Sequence, residues 1–163
     1  MNMAGITIAD REVAVTALER AKESDAPAAA LELEDGRIIT GKTSNLLGAS
    51  AALLLNVLKE LAGVDQSIRI ISPESNEPIQ KLKVEYMKSK NPRLHTDEVL
   101  IALSGSAATN PLAELALSQL PKLKGCQAHT SVMLSDVDIK TFKKLGVQLT
   151  CEAVYEPSRR FKV

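Results

Sequence analysis

The 163 residues carry 20 Lys and Arg against 20 Asp and Glu, and this zero net charge removes the electrostatic attraction on which nucleic-acid binders depend. Aromatic residues make up 2% of the chain, so the core must be aliphatic and stacking platforms for bases or sugars are nearly absent. The sequence shows neither a charged-plus-apolar leader nor an apolar run of about eighteen residues, and only Cys126 and Cys151 are available to pair. The expectation is a cytoplasmic protein without membrane contact, folded as one domain over residues 1–163.

Thr7-Ile-Ala-Asp10 has the form of a capping box, and Ala14, Ala17, Leu18 and Ala21 behind it share one helical face, which predicts a helix from about Ile8 to Ser24. Leu31 and Leu33 then alternate with Glu32 and Glu34, and Asp35-Gly36 separates them from Arg37-Ile-Ile-Thr40. This predicts a β-hairpin with a two-residue turn. After a polar stretch from Thr40 to Gly48 comes Ala49 to Ala62, where only Ser50, Asn56, Lys59 and Glu60 are polar. A helix apolar on nearly all sides belongs in a core, and Gly63 supplies its left-handed stop. At about 1.5 Å per residue it spans roughly 21 Å, too short for a bilayer.

Ile68-Arg-Ile-Ile71 reads as a buried strand completing a β-α-β crossover. Pro78 and the basic run Lys81, Lys83, Lys88, Lys90 and Arg93 bracket a short helix predicted from Glu77 to Tyr86. Thr96 caps a helix from Asp97 to Thr109, with Asp97 and Glu98 in its first turn, although Val99 to Leu103 also fits a strand. Asn110-Pro111 opens a helix to about Leu120, and Pro121 ends it. Cys126 to Met133 alternates as a strand with one polar face bearing His129 and Ser131. Ser135 caps Asp136 to Leu145, Gly146 closes that helix, and Val147 to Ala153 alternates as a last strand. The basic tail 156–163 is expected to fray. Together these elements predict a layered α/β fold: a mixed sheet of about five strands with helices on both faces.

Gly36-Arg-Ile-Ile-Thr-Gly41-Lys42-Thr43 matches the phosphate-loop spacing formally. Its β-branched Ile38, Ile39 and Thr40 resist the left-handed conformation a phosphate nest requires, so the hairpin takes precedence. His95 lies in the proline-stiffened loop Asn91-Pro-Arg-Leu-His95 at the mouth of a helix, where free N–H groups and Arg93 can receive an anion. The bland alternative is that Asn91 and His95 only satisfy loop backbone. His95, His129, Cys126 and Cys151 lack C-x-x-C or H-x-E spacing, so no metal is expected. Ser131, His129 and Glu152 can be assembled on paper into a triad, but no nucleophile elbow marks a serine. No catalytic residue and no cofactor can be named.

Ile6-Thr-Ile-Ala-Asp10-Arg11, Asp35-Gly-Arg-Ile-Ile-Thr-Gly-Lys42, Pro78-Ile-Gln80, Asn91-Pro-Arg-Leu-His95, Leu123-Lys-Gly125, Ala128-His129 and Lys144-Leu-Gly146 together resemble one family over nearly the whole chain. It is the uncharacterised bacterial family of the domain of unknown function eighteen forty-six. The resemblance implies a C-terminal third of a protein about three times longer, with Met1-Asn-Met3 ending a preceding helix and a larger N-terminal part as a partner. The element order also resembles the cytidine-deaminase-like fold, but without the H-x-E and P-C-x-x-C pattern that holds zinc.

Two functional classes therefore stay open. The leading one is a domain that helps bind a small anionic ligand through Thr40, Lys42 and Ser44 after the hairpin, Asn91, Arg93 and His95 in the loop, and His129 on its strand. The other is a structural module that supports homo-oligomers and contributes no catalytic residue, in keeping with zero net charge and an Ala/Leu-rich composition.

Overall fold

The computed structural model describes residues 12–44, 47–71, 73–88 and 93–153. Thr7, Asp10, Asn91 and the tail 156–163 lie outside them. The elements run α1 Glu12–Ser24, β1 Ala28–Glu32, β2 Ile38–Lys42, α2 Ala49–Ala62 and α3 Pro73–Lys81, which continues as a π-helical turn Leu82–Tyr86. They continue with α4 Thr96–Ala107, α5 Pro111–Leu117, a 3-10 turn Leu120–Leu123, β3 Gln127–Thr130, α6 Asp136–Lys144 and β4 Gln148–Cys151. Among the described residues no helix is long and apolar enough to cross a membrane.

The sheet has four strands in the order β2-β1-β3-β4, antiparallel except for the parallel pair β3 and β4. The α/β class, the mixed sheet and the helices on both faces thus agree with the sequence, but the strand count does not. Ile68–Ile71 forms no strand. Ile70 and Ile71 are buried at 1% and 5% exposure by packing into the core from a loop, while Ile68 stays 40% exposed. An apolar run predicts burial; a ladder also requires a neighbouring strand, and this run has none. The β-α-β unit lies elsewhere, in β3-α6-β4.

Register divides the sheet into two faces. Ala29, Leu31 and Ala128 point into the main core with α2, α4, α5 and Phe142 of α6. Ala30 and its partner His129 point the other way, where Ala30 packs with Val13 and Ala17 of α1. β1 is therefore covered on both sides, and its alanines leave room for a helix layer above and below. The hairpin closes with a three-residue loop, not two. Gly36 donates to Leu33 O at 2.9 Å, Leu33 donates to Arg37 O at 2.8 Å, and Gly36 takes the left-handed φ of +91° that a bulge needs.

Helix α2 has the predicted bounds and the predicted Gly63 cap at φ +73°, and Leu53, Leu54, Val57 and Leu58 are wholly buried. It lies so close to β2 that a Cβ on Gly41 would stand 2.3 Å from Leu53 N. Gly41 therefore serves helix–strand contact, and Ile38–Lys42 is a strand, as the β-branched residues require. Elsewhere boundaries shift. The segment predicted from Glu77 is helical from Pro73, where proline suits the first turn, and it accommodates Pro78 internally. The helix opened by Asn110 ends at Leu117.

Candidate functional site

Thr43, at the end of β2, and Val132–Ser135, after the carboxyl end of β3, border a cleft of about 150 Å³. Gly48, Ala49 and Ser50 at the start of α2, Arg93–His95 at the start of α4, and Ser135 and Asp138 at the start of α6 complete its wall. Three helix N-termini thus converge on one concave space, each with first-turn N–H groups and the positive end of a helix dipole. The local sequence explains each end. Gly48 begins α2 without a side-chain cap among the described residues, and Ser135 Oγ accepts from Asp138 N–H at 3.4 Å. The cap of α4 is His95 rather than Thr96, and Glu98 accepts His95 N–H at 2.8 Å.

The described end of the loop before α4, Arg93–His95, is tied to its surroundings by several bonds. Gly48 N–H donates to Leu94 O, and Arg93 Nε–H donates to Ser44 O at 2.5 Å. Lys83, buried at 8% exposure in the π-helical turn, donates to Glu98 Oε1 at 2.8 Å and to Arg93 O. His95 Nδ1 faces Asp138 Oδ2 at 3.3 Å, while Asp138 Oδ1 accepts the Thr96 N–H at 2.9 Å and the Thr96 hydroxyl at 2.7 Å. The hydrogen bond with Asp138 raises the His95 imidazole above its ordinary value, against the effect of burial. Burial pushes the Asp138 carboxyl up, but its bonds from His95 and Thr96 prevail and hold it below the ordinary range.

The structure brings together part of the predicted set. Arg93 and His95 line the cleft, and Ser44 stays outside its wall, joined to Arg93 through its carbonyl oxygen; Asn91 lies outside the described residues. Thr40 and Lys42 alternate onto the α1 side of β2, with Lys42 exposed, and Thr40 O accepts from Asn56 Nδ2. His129 is not on a solvated polar face. It is wholly buried on that same side, where Nε2 meets Glu152 Oε2 at 2.7 Å and Nδ1 meets Thr150 Oγ1 at 2.6 Å. The sheet separates it from His95. Nor does Ser131 complete a triad, since its hydroxyl accepts Ala28 N–H.

The family model described as domain of unknown function DUF1846, C-terminal, matches residues 9–161. The chain belongs to this family. A UPF0371 protein of Corynebacterium efficiens is 58% identical over 156 residues, which cover 96% of this chain and 32% of that protein. UPF0371 proteins of Corynebacterium diphtheriae and Streptococcus pneumoniae are 49% and 45% identical over 162 residues, covering 99% of the chain and 33% of each relative. The chain spans about a third of the length of the curated relatives it matches.

Four residues of this DUF1846 domain were missed by sequence reasoning. Ser135-Asp-Val-Asp138 reads as a helix start, in which Asp138 would turn back on its own helix; instead its carboxylate crosses to Thr96. Lys83 reads as a member of a basic run and Glu98 as a first-turn acid of its own helix, yet the two pair with each other. Ser50 reads as one small polar residue in an apolar helix, yet it borders the cleft at 2% exposure, and its hydroxyl makes no hydrogen bond among the described residues.

Proposed function

We propose that the cleft between Thr43, Arg93, His95 and Ser135 binds a small anion, and that in the longer UPF0371 proteins it does so together with their N-terminal part, in the cytoplasm. The observation that carries this reading is the convergence of the α2, α4 and α6 N-termini on a space that Arg93 and His95 also line. Among the described residues the only carboxylate lining it, Asp138, is already bonded to Thr96 and His95, so its charge is largely spent within the protein. The deaminase-like element order is a likeness of shape, and with no H-x-E or P-C-x-x-C in the sequence no deamination is proposed. Inorganic phosphate, titrated into this chain, is expected to raise its melting temperature, and Arg93→Ala and His95→Ala to diminish that rise. Equal shifts in both variants and the parent would refute the assignment of the cleft.

A second reading, a module for association, has its own observation. Leu82, Tyr86 and Met87 are 50%, 68% and 69% exposed on one short helical segment. Light scattering tests it: a dimer dispersed by Tyr86→Ser would favour this reading, and a monomer would remove self-association from it.

A further inference from the structure

Beyond holding an anion, we propose that the cleft hydrolyses phosphate monoesters, with His95 as the general acid and Asp138 as the residue that positions it. This rests on the anion-binding reading. The geometry supplies each part. His95 is bonded to Asp138 through Nδ1, its Nε2 makes no hydrogen bond among the described residues, and the ring lies 35% exposed on the cleft wall. Asp138 is fixed from behind by Thr96, so the imidazole has one orientation. Ser50 borders the cleft at 2% exposure, and its hydroxyl, which makes no hydrogen bond among the described residues, is a donor available to a ligand oxygen. At roughly 30 Å³ per water the cleft holds about five waters' volume. That admits one tetrahedral headgroup and leaves a bulky alcohol outside.

In the step proposed, water attacks phosphorus and the bond from phosphorus to the alcohol oxygen breaks. The proton on His95 Nε2 passes to that leaving oxygen. The proton lost by the attacking water passes to solvent, solvent reprotonates the imidazole, and the products are the alcohol and inorganic phosphate. Three helix N-termini and Arg93 face the charge carried by the phosphoryl oxygens. Among the described residues, the charged groups around His95 are Asp138 of α6, Glu98 of α4, Lys83 of the π-helical turn and Arg93 of the loop.

The test compares phenyl phosphate with p-nitrophenyl phosphate, whose phenolate leaves without protonation, for the full 163-residue chain between pH 5 and 9. Turnover of both is expected, with His95→Gln losing about 10²–10⁴-fold in kcat on phenyl phosphate and far less on the nitro ester. Asp138→Asn is expected to move the alkaline limb of the kcat profile to lower pH, and Ser50→Ala to raise KM more than it lowers kcat. The imidazole proton resonances of His95 and His129, the only two histidines, add a readout independent of turnover. Inorganic phosphate is expected to shift His95 and leave His129 in place. Equal losses on both esters, or no hydrolysis while phosphate still raises the melting temperature, would overturn the catalytic proposal alone. If phosphate neither stabilises the chain nor shifts His95, the anion-binding reading fails with it.

Discussion

Gly41→Ala isolates the contact on which the main core is built. The added Cβ would lie 2.3 Å from Leu53 N, 2.6 Å from Leu53 Cα and 2.8 Å from Ala52 C, all backbone atoms of α2. Carbon atoms pack best at roughly 3.5–4.0 Å, so α2 must retreat by about 1 Å along the face that carries its buried leucines. Overpacking of this kind costs about 1–3 kcal/mol and sometimes more, and an obstacle made of backbone, which has no rotamer to escape into, belongs at the upper end. At about 2–4 °C per kcal/mol for a chain of this size, the melting temperature should fall by roughly 6–12 °C. Circular dichroism during thermal unfolding measures it. Gly36→Ala is the control: it meets nothing within 4 Å and suffers only the left-handed φ of +91°, about 1–2 kcal/mol. A Gly41→Ala protein melting within 2 °C of the parent, or no lower than Gly36→Ala, would refute the close approach of β2 and α2.

The His95–Asp138 pair predicts a window of stability in pH. His95 is raised above its ordinary 6.5 in the folded state, so its contribution is complete below about that pH and is lost as pH rises through the folded value. Asp138 is lowered below 3.8, so its contribution is present above that pH and is lost as pH falls through the folded value. The gap in melting temperature between the parent and Asp138→Asn should therefore be widest between about pH 4 and 6.5 and narrow on both sides; a constant gap would contradict the pairing. Lys83→Met removes the partner of Glu98 and the donor to Arg93 O, and should lower stability by about 3 kcal/mol in urea unfolding, the lower end for a buried pair. His129→Gln should lower stability by about 1–3 kcal/mol through its lost bonds to Thr150 and Glu152 yet leave phosphate-induced stabilisation intact, because it lies across the sheet from the cleft.

What the sequence disclosed was local. The apolar run of α2 with Gly63 behind it, Asn110-Pro111 before α5, and Ser135 with Gly146 around α6 each declare an element through its own capping chemistry. Ile68–Ile71 and His129 were misread for one shared reason. Alternation and apolarity report what wants burial, but not whether a neighbouring strand or a covering helix exists, and α1 settles that for His129 from more than a hundred residues away. The site divided in the same manner. Arg93 and His95 stood out because proline and a helix start mark their loop. Asp138 and Ser50 reach it only through the packing of α6 and α2, and Lys83 of the π-helical turn touches it only through Glu98 and the Arg93 carbonyl.

The two sides of the sheet are fastened very differently. Among the described residues, one is anchored by buried leucines, isoleucines and a phenylalanine from strand, helices and loops; the other by Val13, Ala17 and Ala30, with Ile38 at the margin. At about 0.8 kcal/mol per buried methylene, so few carbons grip α1 only lightly. It is the shingle that lifts first in a thermal fluctuation, and Glu12–Ser24 should be the earliest stretch to exchange its amide protons or to meet a protease. Each such lifting would wet His129 and the seam between β3 and β4 while the cleft lined by Arg93 and His95 keeps its walls.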